Sequence, residues 1–314
     1  MVQSKRILSF LIKYMTPIIF LALLVVSHML SPAFLTKQNM FNLLRQVTPN
    51  SLISMGMLMV ILTGGIDLSV GSIMALSSVA VALLCPHYPE LLSIAMAVGI
   101  GGLMGAFHGI FVAWRNMAPF VVTLAGMTVA RGLAFIYSNA APIRLPREAV
   151  ILRGFSTQYI LGIPGPVLVM LIGFLVTLFV LRMTSFGRLV VAVGSNETAV
   201  RLAGIRTGWH KFWVYAISGI CAGMAGVIST MRTNVGSANA GQGMELDAIA
   251  AAVIGGASLS GGYGGATHTL LGVLILGMIG NIMNLTHVSS YQQHVIKGLI
   301  IIVAVLLQSI KKRD

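Results

Sequence analysis

The stretch Thr63-Gly64-Gly65-Ile66-Asp67-Leu68-Ser69-Val70-Gly71-Ser72 sets one carboxylate among glycines and hydroxyls, with a long apolar run on either side. It reads as the turn between two membrane helices. The same alternation of apolar run and polar turn recurs along the chain, and a crossing helix needs about 20 residues. Ten runs are expected, over 10–30, 46–64, 70–85, 91–113, 119–138, 163–181, 211–231, 245–259, 267–285 and 291–309. The fold class is therefore all-α: a polytopic membrane protein with about ten transmembrane helices. These form a single transmembrane domain over 1–314, with candidate five-helix halves at 1–150 and 151–314.

Composition agrees. Residues are 57% hydrophobic and 9% charged, with a mean hydropathy of +0.93, whereas soluble domains carry about 25% charged residues. The 35 glycines and 19 methionines suit closely packed membrane helices. Cys85 and Cys221 both stand in apolar segments and indicate neither a disulfide framework nor a CxxC site. The N-terminal Lys5, Arg6 and Lys13 before an apolar run resemble a signal peptide, but no small-x-small site follows, so a retained first span is expected.

A net charge of +13 in a soluble chain would point to nucleic acid. Here the bases sit at the ends and in the connections. An even number of spans places both termini on one side, and Lys311, Lys312 and Arg313 argue for the cytoplasm. On that topology twelve Lys and Arg fall inside and six outside, with Arg131 and Lys297 inside spans. Two connections are longer than a turn: a basic one inside, 182–210, and one outside, 139–162, with Arg144, Arg147, Glu148 and Arg153. The only internal self-similarity is faint, Gly65-Ile66-Asp67-Leu68 against Met244-Glu245-Leu246-Asp247, each opening an apolar run.

Much chemistry is missing. The glycine-rich run Ser258 to Thr269 lacks the lysine of a phosphate loop, and no HExxH, GxSxG or His/Cys cluster at ligand spacing occurs. His108 and His268 read as packing or hydrogen-bonded residues rather than ligands. Ionisable groups within the bilayer are costly and mark function by default. The candidates are Asp67, Arg131, Glu245, Asp247 and Lys297, too few for a convincing ion relay. Asp67 or Ser69 can instead cap the helix starting near Val70, and Glu245 and Asp247 the helix after them. Gly101, Gly105 and Gly109 share one helix face, as do Gly219 and Gly223, which suits helix-on-helix contact.

Five ordered blocks together resemble one family: Leu62 to Ser72; Pro119-Phe120 with Thr123-Leu124 and Arg131-Gly132; Gly194-Ser195-Asn196-Glu197 with Arg201-Leu202-Ala203-Gly204-Ile205; Glu245 to Ala251; and Gly255 to Gly262. They look like the permease subunit of the monosaccharide ABC importers, similar to the ribose, xylose, arabinose and galactofuranose permeases. The resemblance implies a second permease subunit, identical or different, a cytoplasmic ABC ATPase, and an extracytoplasmic sugar-binding protein at a bacterial inner membrane. ATP and Mg would be bound by the ATPase, and this chain would bind no cofactor and no nucleic acid.

The resemblance also implies a coupling helix that passes ATPase motion to the spans. Asn196, Glu197, Thr198, Ala199, Arg201, Leu202, Gly204 and Ile205 are its candidates, with Glu197 at the dipole-favoured start and Gly204 as the stop. Glu197 and Gly204 stand one residue further apart than in the related loop motif of other importers, so the role carries over and the contacts do not. Gly64, Gly65, Asp67, Ser69, Phe120, Glu245 and Asp247 are candidates for the translocation path or a hinge. Arg144, Arg147 and Arg153 are candidates for docking the binding protein, with a solvated loop as the alternative. His268 and Asn116-Met117-Ala118 depart from the family's usual residues. Two other functions stay open at this level: an ion-coupled secondary transporter using Asp67, and an ABC permease for branched-chain amino acids.

Overall fold

The structure, a computed structural model, describes residues 2–311. In chain order it comprises α1 (Val2–Leu30), α2 (Lys37–Leu62), α3 (Val70–Leu84), α4 (Glu90–Trp114), α5 (Pro119–Ser138), β1 (Ile143–Arg144), α6 (Val150–Gly154), β2 (Tyr159–Ile160) and β3 (Ile163–Pro164). There follow α7 (Gly165–Met183), α8 (Ser185–Leu202), α9 (Thr207–Thr233), β4 (Val235–Gly236), α10 (Met244–Ile254), α11 (Ala266–Leu285) and α12 (Ser290–Lys311). Among the described residues five helices, α4, α5, α7, α9 and α11, are long and apolar enough to cross a membrane. Lys312 and Arg313 lie outside the described residues.

Local signals set the helix ends. Thr36 caps α2 by accepting from the Asn39 amide at 3.4 Å. Pro119 opens α5, where its missing N–H costs nothing. Asn139 and Asn234 stop α5 and α9 in the left-handed conformation, at φ of 50° and 58°.

Two expectations change. The run 245–259 is not one continuous helix. Its helix α10 has 11 residues and rises about 16 Å, half of a hydrocarbon core roughly 30 Å thick. Gly255 and Gly256 end it, and residues 237–243 lead into it as a run of turns within the bundle. The basic stretch 182–210 is mostly helix rather than loop, because α8 continues from Ser185 after a short break at Thr184. At the other end of the molecule the connection 139–162 supplies one strand to each of two small pairings, β1 with β4 and β2 with β3.

The centre of the bundle is α4 against α9, the most extensive helix pair. The glycine faces do meet: a Cβ on Gly105 would come 3.0 Å from the Gly219 Cα, and one on Gly101 would come 2.9 Å from the Gly223 Cα. Backbones touch there because neither helix carries a side chain at the crossing. Around this pair one apolar core joins the second half of α2 with α3 and α9, and a second joins α1, α7 and α11 to the first half of α2. Buried hydroxyls tie the layers, with Ser78 of α3 2.7 Å from Thr230 of α9. Thr16 of α1 donates to the Ile254 carbonyl at the end of α10 at 3.0 Å.

Candidate functional site

Three of the ordered sequence blocks, far apart in the chain, meet at the end of the bundle that carries α8. The amide of Gly262 donates to the Leu62 carbonyl at 3.0 Å. A Cβ on Gly194 would overlap that same carbonyl oxygen and approach the Gly262 nitrogen to 2.6 Å; one on Gly261 would reach the Gly64 nitrogen at 2.8 Å. The end of α2, the middle of α8 and the loop 255–265 are thus stacked backbone on backbone. Glycine is required at this junction by close approach, not by loop flexibility.

From that junction α8 turns. Asn196 leaves the helix at φ −159° and ψ 92°, and its Oδ1 accepts from the Ala199 amide at 3.0 Å, capping a new short helix. Gly204, at φ 81°, ends it in a Schellman arrangement: its amide donates to the Arg201 carbonyl at 3.0 Å, and the Ile205 amide to Val200 at 3.3 Å. Residues 197–202 therefore form a helical turn with a defined start and stop. Its outer face is bare, with Thr198, Ala199 and Arg201 exposed and Leu202 84% exposed.

Glu197 is not a free acid on that face. Its carboxylate takes the Lys211 ammonium at 2.6 Å, the Thr207 hydroxyl at 3.0 Å and the Arg201 guanidinium at 3.3 Å. Partial burial raises its pKa, but the hydrogen bonds and charge of Lys211, with Thr207 and Arg201, outweigh that and hold it below the ordinary glutamate value. Glu197 is a brace from the short helix to the start of α9. On either side of it lie cavities of about 270 and 550 Å³, the first reached by Thr63, Asn116, Lys211 and Tyr215 and the second by Trp114 and Trp209. All three tryptophans of the chain, 114, 209 and 213, cluster here with Phe212, as amphipathic rings do at a membrane surface.

Asp67 lies deeper and is fully buried. It does not cap α3 as expected. Its Oδ1 accepts from the Ser69 amide at 3.0 Å and the Ser69 hydroxyl at 2.5 Å, and its Oδ2 from Ser218 of α9 at 2.8 Å. The Ser69 hydroxyl, committed as a donor to Asp67, accepts in turn from Nδ1–H of His108 at 3.2 Å. The ring of His108 lies against Gly126 of α5, where a Cβ would overlap its Nε2. The 63–69 turn is thereby locked to α4, α5 and α9 at once. Gly65 sits against the Tyr215 hydroxyl, and Thr123 donates to the Ile66 carbonyl at 3.3 Å.

The remaining candidates divide. Glu245 and Asp247 open α10, where Gly71 at the start of α3 packs on Gly241 and the Glu245 carboxylate. Asp247 pairs with Lys297 of α12 at 2.9 Å. Arg131 braces the segment leading into α10, donating to the carbonyls of Ala238 and Ala240 at 2.5 and 2.8 Å and to the Ser72 hydroxyl at 3.2 Å. Phe120 is exposed at the start of α5, and His268 at the start of α11. Arg144, Arg147 and Arg153 are all exposed and stand at the opposite end, in the 139–162 region. Sequence reading missed Ser218, Tyr215 and Lys211, whose only signal was a polar group on a long apolar helix.

A family profile described as branched-chain amino acid transport system, permease component, matches residues 39–305. The ribose import permease of Bacillus subtilis (strain 168) is 44% identical over 286 residues, covering 91% of this chain and 89% of its own. The ribose import permease of Escherichia coli (strain K12) is 41% identical over 295 residues, 93% and 92% of the two chains. The L-arabinose ABC transporter permease of Azospirillum brasilense is 38% identical over 297 residues, 94% and 87%. No solved structure matches. Five ordered blocks, an all-helical bundle and these full-length likenesses lead to one conclusion: the chain belongs to the permease family of the ABC importers.

Proposed function

We propose that this chain is the permease subunit of a monosaccharide importer at a bacterial inner membrane, carrying a pentose or related simple sugar inward. A separate ABC ATPase drives it, a second permease subunit completes it, and an extracytoplasmic sugar-binding protein feeds it. The observation that carries the reading is 41–44% identity to ribose permeases over more than nine-tenths of the chain. The family profile takes its description from branched-chain amino acid transport, but the near relatives are named for ribose, arabinose, allose and xylose. The ion-coupled alternative is weakened by Asp67, whose carboxylate is already occupied by internal donors.

The topology proposed has ten spans, with both termini and the α8 end in the cytoplasm, consistent with the Lys and Arg bias and the tryptophan cluster. Two inverted halves are supported by position: the third apolar helix of each, α3 and α10, is the short one and is preceded by a turn segment. The short helix 197–202, exposed outward and braced inward by Glu197, is the coupling element that meets the ATPase. The exposed Arg144, Arg147 and Arg153 are the docking surface for the binding protein.

Reconstitution tests the reading. Vesicles holding the chain with its ATPase and binding protein are expected to take up ribose or another pentose only with ATP. Uptake by the chain alone, abolished by an ionophore, would overturn it. Glu197→Ala and Gly204→Pro are expected to leave the protein in the membrane but separate ATP hydrolysis from uptake.

A further inference from the structure

We propose that the turns 239–243, the start of α10 and the facing side of α12 form the sugar-contacting wall of the translocation path. This rests on the importer reading and adds the wall to it. Met244 is 11 residues of helix away from the glycine junction, and Arg131 is 12 residues from the start of α5 at the same end, so both lie about 16–18 Å in. That is near the middle of a core roughly 30 Å thick.

At this depth the subunit exposes polar groups. Asn239 and Gln242 are both exposed and are joined to each other at 3.3 Å. The Asp247–Lys297 pair is partly exposed, with side chains at 20% and 31%. Amides and an ion pair at mid-bilayer do not face lipid, where the hydration they lose is not replaced; they face water or protein. Amide and carboxylate groups are also the donors and acceptors that sugar hydroxyls use.

Clearance is present beside these residues in the chain. Gly132, next to Arg131 on α5, and Gly298, next to Lys297 on α12, have open space where a Cβ would stand, as do Gly99 of α4 and Gly280 of α11. A glycine inside a helix is unfavourable relative to alanine, and neither Gly132 nor Gly298 is needed for packing in this subunit. Passage of a polyhydroxylated solute needs both features together, hydrogen-bonding groups and clearance.

The test uses a chain with Cys85→Ala and Cys221→Ala, assembled with its ATPase and binding protein in vesicles. Single Asn239→Cys, Gln242→Cys and Leu103→Cys variants are treated with a membrane-impermeant methanethiosulfonate. Leu103 is 73% exposed on the apolar side of α4. The wall predicts thiols at 239 and 242 that react several-fold faster than the one at 103, and that ribose turnover slows. Equal, slow reaction at all three positions overturns it, and so does a disulfide joining two copies at 242, which would make the face a subunit seam. Fast reaction that neither ribose, arabinose nor xylose slows would keep an aqueous path and overturn the sugar reading.

Discussion

The two short helices begin in opposite ways. The turn into α3 is closed: Asp67 is buried, and every hydrogen bond it makes stays inside the subunit, to Ser69 and Ser218. The run of turns into α10 is half open, held from behind by Arg131 while Asn239 and Gln242 are exposed in front. The two starts touch, Gly71 on Gly241, so one element's stability backs the other's exposure. A charged residue inside a membrane protein can therefore mean a lock or a lining, and burial of its partners decides which. Asp67 is a lock, and Arg131 is the back support of a lining.

The sharpest way to break this contrast is Asp67→Ala. It orphans a buried amide and two buried hydroxyls, each worth about 1–3 kcal/mol, so a loss on the order of 4 kcal/mol is expected. Thermal unfolding in detergent reads it. Asp67→Asn keeps an acceptor and the shape, and should lose less than half as much; equal loss in the two variants would mean the charge itself is required. Next comes Gly194→Val, which drives a side chain into the Leu62 carbonyl. Overpacking of this kind costs about 1–3 kcal/mol, and the melt should shift without loss of cooperativity, since α2, α8 and the 255–265 loop form one junction. Arg131→Met is smaller in stability, about 1 kcal/mol, because the freed carbonyls of Ala238 and Ala240 flank the exposed Asn239, where water can replace the guanidinium. Its uptake defect should exceed its stability defect. The reverse ranking would show that Arg131 is structural in the sense Asp67 is.

Much of this is legible in the amino-acid sequence. The ten apolar runs fall on helices, the glycines at four-residue spacing do pack α4 on α9, and Asn196 and Gly204 bound a short helix. These depend on local periodicity and on residues a few positions apart. What is not legible depends on pairing across the chain. Ser218 stands 151 residues from Asp67 and Lys297 stands 50 from Asp247, so a carboxylate with the local pattern of a cap is in fact a cross-brace. The break in the run 245–259 is hidden for another reason. Hydropathy continues through Ala248 to Leu259, and only the backbone at Gly255 and Gly256 shows that the helix has stopped.

The smallest effect is the one that links the junction to the outside. Glu197 ties the short helix 197–202 to Lys211 at the root of α9, the helix that also carries Ser218 to Asp67. Its pKa is held below the ordinary value, so the brace stabilises the helix above the unfolded glutamate pKa of about 4.3 and is lost as the pH falls from there through the lowered value. The side chain is 30% exposed, and a part-exposed pair of this kind contributes about 0.5–1 kcal/mol. Amide exchange over residues 198–203 reads it. At neutral pH, Glu197→Gln should exchange about two- to fivefold faster than the parent; as the pH falls below the lowered pKa of Glu197 the two should converge, because the parent carboxylate is then protonated. Equal exchange at neutral pH would detach the short helix from the lock at Asp67. The closed and open helix starts would then be neighbours with no mechanical connection to the surface proposed to meet the ATPase.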